Sequence, residues 1–270
     1  MEITSLIIAM LATGAIGGIL AGLLGIGGGI VIVPVLEAAL SYLGVDSGVR
    51  MHIAVATSLA TIIPTSISSA RAHHRRQSID FTLIRYWGPY IVVGAIAGIL
   101  IAANVGGWLL SAVFAVVALA VAIKMILPLD DKNLAADVPR GVIGSAIPIS
   151  IGTISTPMGI GGGTLSVTAM TLSSRSMHVA VGTASLIGLF IAVPSTLGYV
   201  LTGWGNAALP VASLGYVNLF GFALIAPATA LFAPLGAKIA HSLSHRTLSL
   251  LFGLFLFAVA IRMGMRAFAA

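Results

Sequence analysis

Charged residues are so sparse along this chain that they divide it into long apolar blocks. No Asp, Glu, Lys or Arg occurs in residues 3–36, 86–123, 141–174 or 176–237. A helix needs about 20 apolar residues to cross a bilayer. The blocks therefore predict membrane-spanning helices, and the block at 176–237 is long enough for at least two of them.

We divide the chain into ten apolar segments, five in each half. In the first half they lie at about 3–24, 26–43, 53–70, 83–103 and 107–127. In the second half they lie at about 141–158, 160–174, 179–201, 209–237 and 247–265.

The composition agrees with this division. Hydrophobic residues make up 59% of the chain and charged residues only 7%, whereas a soluble domain has about 25% charged residues. We therefore predict an all-α integral membrane protein. The net charge of +6 comes from 13 scattered Lys and Arg residues, so no basic patch for nucleic acid forms. The absence of cysteine excludes disulfides and thiolate metal sites, and we expect no cofactor.

The two halves share motifs in the same order, which indicates an internal duplication. The pentapeptide Gly-Ile-Gly-Gly-Gly, here called the Gly motif, occupies residues 25–29 and again residues 159–163. The sequence Met-His-Ile-Ala-Val-Ala-Thr at 51–57 resembles Met-His-Val-Ala-Val-Gly-Thr at 177–183. Each half therefore carries one copy of the same elements.

Equivalent loops of the two halves have opposite basicity. The loop at 71–76 holds three Arg residues, but its counterpart at 203–207 is uncharged. The loop at 104–107 is uncharged, but its counterpart at 238–246 is basic. Since basic loops stay in the cytoplasm, the two repeats are predicted to have inverted orientations, which is common in transporters.

This pattern predicts a first transmembrane repeat at 1–127 and a second, inverted one at 141–270. A cytoplasmic connector at 128–140 joins them. With ten crossings, ten of the 13 Lys and Arg residues fall in the cytoplasm and both termini lie in the periplasm.

Each Gly motif interrupts a block that is roughly 51 Å long as a helix. That length is too great for one crossing of a ~30 Å core and too small for two full ones. The motif therefore either joins two short crossings or lies at the tip of a re-entrant hairpin. We favour five crossings per repeat, with short or broken helices at the Gly motifs.

The duplicated Gly motif is the first candidate binding site. A helix N-terminus offers free N–H groups and partial positive charge to an anion. Close helix packing at small residues is the alternative, and both remain open. The candidate substrate-binding glycines are Gly25, Gly27, Gly28, Gly29, Gly159, Gly161, Gly162 and Gly163.

Hydroxyl side chains are the second candidate group, because a hydroxyl donates hydrogen bonds to an oxyanion without carrying charge. We assign Thr57 and Ser58 in the first half and Thr183 and Ser185 in the second half as substrate-binding residues. The alternative is that these hydroxyls bond to carbonyls of their own helices.

Three ionisable residues are candidates for an anion or proton role. His52 and His178 occupy equivalent places in the two halves, where a histidine at a span end is the alternative. Glu37 is the acid well inside an apolar run. It is a candidate for proton coupling, or else an acid near the membrane surface.

These motifs resemble the TauE/SafE family, also called TSUP. The resemblance rests on Ala-Gly-Leu-Leu at 21–24, the Gly motif that follows it, Pro34, the second Gly motif, and the Thr and Ser residues at 56–58 and 182–185. It covers nearly the whole chain. One departure is that Thr168 stands at the position equivalent to Pro34.

The resemblance implies a secondary transporter of the bacterial inner membrane for small sulfur-containing anions. Candidates are sulfite, thiosulfate, sulfoacetate and other organosulfonates. We expect alternating access, export, and coupling to protons. The expected partners are this anion and the lipid bilayer, without nucleic acid, and small residues on helix faces allow a homodimer.

The sequence contains no recognisable enzyme motif, so we expect that the protein is not an enzyme. Two alternatives to a transporter remain open. One is a passive anion channel of the same fold, and the other is a membrane subunit without transport activity.

Overall fold

The computed structural model describes residues 3–24, 28–127, 138–239 and 245–269. Its first-half helices are α1 Ile3–Leu24, α2 Gly29–Tyr42, α3 Ser47–His74, α4 Phe81–Ala103 and α5 Gly107–Ile126. Its second-half helices are α6 Gly141–Ser155, α7 Gly163–Leu172, α8 Met177–Thr202, α9 Leu219–Ile239 and α10 His245–Ala269. Between α8 and α9, the strands β1 Ser213–Leu214 and β2 Val217–Asn218 pair antiparallel.

Every predicted segment overlaps one of these helices, so the all-helical fold class is confirmed. Four helices begin before their apolar segments, and in two of them an aspartate caps the earlier start. The Asp46 carboxylate accepts the Gly48 N–H at 2.7 Å, before α3. The Asp80 carboxylate accepts the Leu83 N–H at 2.9 Å, in the first turn of α4.

The predicted segment at 209–237 is wrong over its first ten residues. Helix α9 begins only at Leu219, because the preceding residues form a turn and the β1–β2 hairpin. Gly215 turns the hairpin with φ of 53°, a conformation that favours glycine. The Asn218 side chain then accepts the Gly221 N–H at 2.8 Å and starts the helix.

Among the described residues, five helices are long and apolar enough to span a membrane: α3, α4, α5, α8 and α9. Helices α2 and α7, which follow the Gly motifs, have 14 and 10 residues. They are roughly 21 and 15 Å long, which is less than the ~30 Å apolar core of a bilayer. The short helices expected at the Gly motifs are therefore present.

Helices of opposite halves pack against each other in matched pairs. Helix α1 lies along α9, and its equivalent α6 lies along α4. Helix α3 packs against its equivalent α8, and α5 packs against α10. This set of pairs is unchanged when the two halves are exchanged, as a two-fold relation requires. The inversion and the repeat boundaries stay predictions, and most of the predicted connector lies outside the described residues.

Small residues allow the close approach within these pairs. On α1, a Cβ atom at Gly18 would lie only 2.8 Å from the Cα atom of Thr229 in α9. On α4, a Cβ atom at Gly98 would lie 2.8 Å from the carbonyl oxygen of Thr153 in α6. The equivalent pairs therefore use the same packing device, glycine against backbone.

The loops gather in two groups at opposite ends of the bundle. At one end, the Arg76 guanidinium after α3 donates to the Ala237 carbonyl in the last turn of α9 at 2.7 Å. At the other end, a Cβ atom at Gly107 would lie 3.2 Å from the Ser47 carbonyl, so the starts of α5 and α3 are neighbours. This grouping agrees with the cytoplasmic and periplasmic loops predicted from charge.

Candidate functional site

Helices α2 and α7 begin in the same way, each preceded by a glycine in the left-handed backbone region. Gly28 precedes α2 with φ of 75°, and Gly162 precedes α7 with φ of 68°. Because glycine has no side chain, no side-chain hydrogen bond caps either helix. The first N–H groups of both helices have no acceptor within their own helix. Such successive N–H groups form a concave surface that suits an anion.

The two Gly motifs contact each other inside the bundle. A Cβ atom at Gly29 would overlap the carbonyl oxygen of Gly159. The Ser58 hydroxyl donates to that same carbonyl at 2.8 Å. Ser58 lies near the middle of α3, the most buried of the five long helices. The motifs therefore meet at the level of the middle of α3.

Protein atoms fill the space beside the other described motif glycines. A Cβ atom at Gly161 would lie 3.1 Å from Ile62 Cγ2, and one at Gly162 would overlap Ile191. Gly163 is the buried first residue of α7. Close packing is therefore one role of the motif. The predicted site glycines Gly25 and Gly27 lie outside the described residues.

Three buried hydroxyls lie in or beside the first turn of α7 and have no hydrogen-bond partner in the described part of the chain. They belong to Ser155, Thr164 and Ser166. Ser155 is 1% exposed and Ser166 is 0% exposed. Because most buried side-chain polar atoms are paired, three unpaired hydroxyls at one helix start indicate a site for a polar ligand or water.

A cavity of about 10 Å³ lies beside this helix start. Ser155, Gly162 and Thr164 line it, together with apolar residues that include Ile30 of α2. Its volume is about that of one water position. An anion of several atoms is larger, so the surrounding helices must separate before it can occupy the same place.

The hydroxyls are present at only one of the two Gly motifs. The residues 134 positions before Ser155, Thr164 and Ser166 are all apolar; they are Ala21, Ile30 and Ile32. The site is therefore asymmetric, although the motif itself is duplicated.

A positive charge lies one turn further along α7. The Lys124 ammonium, in the last turn of α5, donates to the Thr168 hydroxyl at 3.2 Å. Thr164 and Thr168 are four residues apart, so their side chains share one face of the helix. The threonine that replaces the expected proline thus connects α7 to a lysine.

Thr57 and Thr183, two of the predicted substrate donors, hold helix starts in the opposite half. The Thr57 hydroxyl accepts the backbone N–H of Asn218, before α9, at 2.9 Å. The Thr183 hydroxyl accepts the backbone N–H of Asp80, before α4, at 2.9 Å. These equivalent contacts position helices, and the substrate-binding role of both threonines stays a prediction.

Ser185 forms the local bond that the sequence left open as an alternative. Its hydroxyl donates to the Gly182 carbonyl, one turn earlier in α8, at 2.6 Å. Ser58 differs because its hydroxyl leaves its own helix and reaches Gly159. Of the four predicted hydroxyl residues, Ser58 is the one that bonds to a Gly motif within the described residues.

The two equivalent histidines have different surroundings. His52 is buried, its ring is stacked on Tyr216 with centroids 5.0 Å apart, and Nε2 lies 3.2 Å from the Ala102 carbonyl oxygen. His178 is exposed. The structure therefore separates two residues that the sequence treats as a pair, and the proton or anion role of each stays a prediction.

Glu37 lies in the interior, next to a cation. It is 5% exposed, and its carboxylate lies 3.8 Å from the Arg50 guanidinium. Arg50 also donates to the Ser41 hydroxyl at 2.5 Å. The pair joins α2 to the start of α3, away from the Gly motif contact. A proton-coupling role for Glu37 stays a prediction.

The structure thus brings together Gly29, Ser58 and Gly159, and it places the start of α7 beside them. It does not bring Thr57, Thr183 or the ionisable residues into this group. Thr164, Ser166 and Lys124 are not among the candidate residues identified from the sequence motifs. Their polarity at positions where the first half is apolar is the signal that could have identified the first two.

Known proteins resemble this chain over most of its length. Residues 10–263 match the family described as "Sulfite exporter TauE/SafE". A "Probable membrane transporter protein" of Haemophilus influenzae is 34% identical over 260 residues, covering 95% of this chain and 97% of that protein. YunE of Bacillus subtilis, named as a probable membrane transporter protein, is 26% identical, with 95% and 96% covered. MJ0441 of Methanocaldococcus jannaschii, named likewise, is 28% identical, with 93% and 92% covered. No solved structure matches the chain.

Proposed function

Since this chain belongs to the TauE/SafE sulfite exporter family and is a multi-pass membrane transporter rather than an enzyme, we propose that it moves small sulfur-containing anions by alternating access. The substrates are sulfite, thiosulfate, sulfoacetate or another organosulfonate. The family description supports this substrate class and the direction of export. Glu37 is the candidate residue for coupling this export to protons.

The observation that carries the proposal is the start of α7, where hydroxyls that have no partner in the described structure lie beside a helix N-terminus. Ser155 and Thr164 line the cavity there, Ser166 follows in the same turn, and the first turn of α7 supplies backbone N–H groups. A sulfur oxyanion has only acceptor atoms on its surface, so it matches a site made of donors. The helix N-terminus adds partial positive charge without a buried cation.

Gly29 and Gly159 form the closed contact beside this site. While they touch, the cavity at Ser155 has a volume of about 10 Å³. Movement of one repeat against the other separates the motifs and enlarges the cavity enough for the anion. Since glycine has no side chain, the two backbones can meet again once the anion has left.

Liposomes containing the purified protein test this function. We expect saturable uptake of labelled sulfite or sulfoacetate that responds to a pH gradient. Ser155→Ala should raise the apparent KM at least about tenfold, since a hydrogen bond to a charged group contributes about 1.5–3 kcal/mol. The same substitution should leave stability unchanged or higher, because it removes a buried hydroxyl that has no partner in the described structure.

Ser145→Ala is the matched control. Ser145 is a half-buried residue of the same helix, and its hydroxyl donates to the Gly141 and Val142 carbonyls of that helix. If Ser155→Ala and Ser145→Ala transport the anion with the same apparent KM, the start of α7 is not the binding site. If no sulfur anion moves under any gradient, the substrate class is wrong.

The same assay separates the two alternatives to a transporter. A passive channel would give flux that does not saturate and does not depend on a proton gradient. A non-transport subunit would give no flux without a partner. The homodimer stays a prediction that rests only on small residues at helix faces. The mass of the protein in detergent, measured by light scattering, tests it.

A further inference from the structure

A second, larger pocket opens at the far end of α7, and neither the family nor the Gly motifs account for it. Its volume is about 350 Å³. Its lining residues come from the first turns of α4, the start of α6 and the turn between α7 and α8. They are Thr82, Leu83, Tyr86, Val138, Arg140 and Arg175.

Two guanidinium groups give this pocket its chemistry. Arg140 is the exposed residue just before α6, and Arg175 precedes α8. Arg175 lies 3.4 Å from the Asp80 carboxylate, so the described residues at the pocket include one carboxylate and two guanidinium groups. The remaining positive charge, the hydroxyls of Thr82 and Tyr86, and the planar donor arrays of arginine suit an oxyanion.

The pocket has a direct structural connection to the candidate transport site. Helix α7 carries the hydroxyls at its start and ends at Leu172, three residues before Arg175. Its 10 residues span roughly 15 Å. The pocket also lies at the end of the bundle where charge predicts the cytoplasm, the side from which an exporter takes its substrate.

We propose that this Arg140–Arg175 pocket is a recruitment site, which binds a sulfonate or sulfite from the cytoplasm before the anion reaches the start of α7. The assignment of the ligand rests on the proposed function. An anionic lipid headgroup has related chemistry, because its phosphate also bears acceptor oxygens. We assign the free anion as the ligand. Protection of a thiol in the pocket by sulfoacetate or by a phospholipid distinguishes the two.

The absence of cysteine allows a site-specific test in detergent micelles of the whole protein. Thr82→Cys places one thiol in the pocket. We expect an anionic methanethiosulfonate to react faster than a cationic one. Arg140→Gln should slow the anionic reagent about fivefold, the scale of one exposed ion pair. Arg75→Gln should have no effect, because Arg75 is exposed at the same end and does not line the pocket.

Occupancy is measured with a neutral methanethiosulfonate in maltoside, which carries no phosphate. Sulfoacetate should slow the reaction at Thr82→Cys, and this protection should weaken in Arg140→Gln. Equal reagent rates in Arg140→Gln and Arg75→Gln would overturn the proposal. So would protection by short-chain phosphatidylglycerol but not by sulfoacetate, since the pocket would then bind a lipid headgroup.

Protection at Thr82→Cys requires binding but not transport. If sulfoacetate protects the thiol while liposomes move no anion, the recruitment site stands and the transport function fails. If liposomes transport sulfoacetate without any protection at Thr82→Cys, transport stands and the recruitment site is refuted. The two proposals therefore fail separately.

Discussion

The contact between the two Gly motifs makes a quantitative prediction for the substitution Gly29→Ala. The added methyl group would overlap the Gly159 carbonyl oxygen and lie 2.9 Å from the Ser58 hydroxyl oxygen. Backbone atoms cannot rotate away as a side chain can, so the helices must shift. Overpacking of this kind costs about 1–3 kcal/mol, and we take about 2 kcal/mol for this site.

Gly17→Ala is the matched control within the same repeat. A methyl group at Gly17 in α1 would lie 3.5 Å from Ile32 Cγ1, which is an ordinary contact distance. Replacing a glycine inside a helix by alanine stabilises the helix by about 1 kcal/mol. The two variants each add one methyl group near the first Gly motif, yet they should differ by about 3 kcal/mol.

Tryptophan fluorescence during heating in maltoside, to which buried Trp87 contributes, measures this difference. For a chain of this size, a change of about 1 kcal/mol in the free energy of unfolding shifts the melting midpoint by roughly 2–4 °C. Gly29→Ala should therefore melt roughly 6–12 °C below Gly17→Ala at the same heating rate. If the two midpoints agree within about 2 °C, position 29 has room for a methyl group and the motifs do not meet as described.

Two further predictions concern bonds between elements. Thr57→Val should destabilise the protein by about 1–3 kcal/mol, because it leaves the buried Asn218 N–H without its acceptor; thermal unfolding checks this, and an unchanged midpoint would contradict it. Arg50→Gln should destabilise by about 3 kcal/mol, because buried Glu37 loses its ion pair. The double variant Arg50→Gln with Glu37→Gln should recover most of that loss; equal stability of the single and double variants in unfolding scans would refute the coupling.

Helix positions could be predicted from the sequence because charges are rare and mark the ends of apolar runs. The exact starts could not, since they depend on single side chains. Asp46 and Asp80 extend α3 and α4 through caps. The start of α9 was misplaced because the hairpin at Gly215 lies in an uncharged stretch that resembles a span.

The candidate site was predictable only in part. The duplicated motif identified Gly29 and Gly159, and the structure shows them in contact. The partners of Thr57 could not be predicted, because Asn218 lies 161 positions away and hairpin geometry places its N–H. The polar residues at the start of α7 could not be predicted, because a sequence does not show that the hydroxyls of Ser155 and Ser166 are buried without a partner among the described residues.

The pairing of α1 with α9 has a consequence for the synthesis of this protein. The two helices are separated by 219 − 24 = 195 positions in the chain. At about 5–20 residues per second, the ribosome needs roughly 10–40 s to produce that stretch. During this interval the glycine-lined face of α1 contacts lipid or another membrane factor, because its partner has not yet been made. The first repeat therefore enters the membrane unfinished, and its assembly waits for the last quarter of the chain.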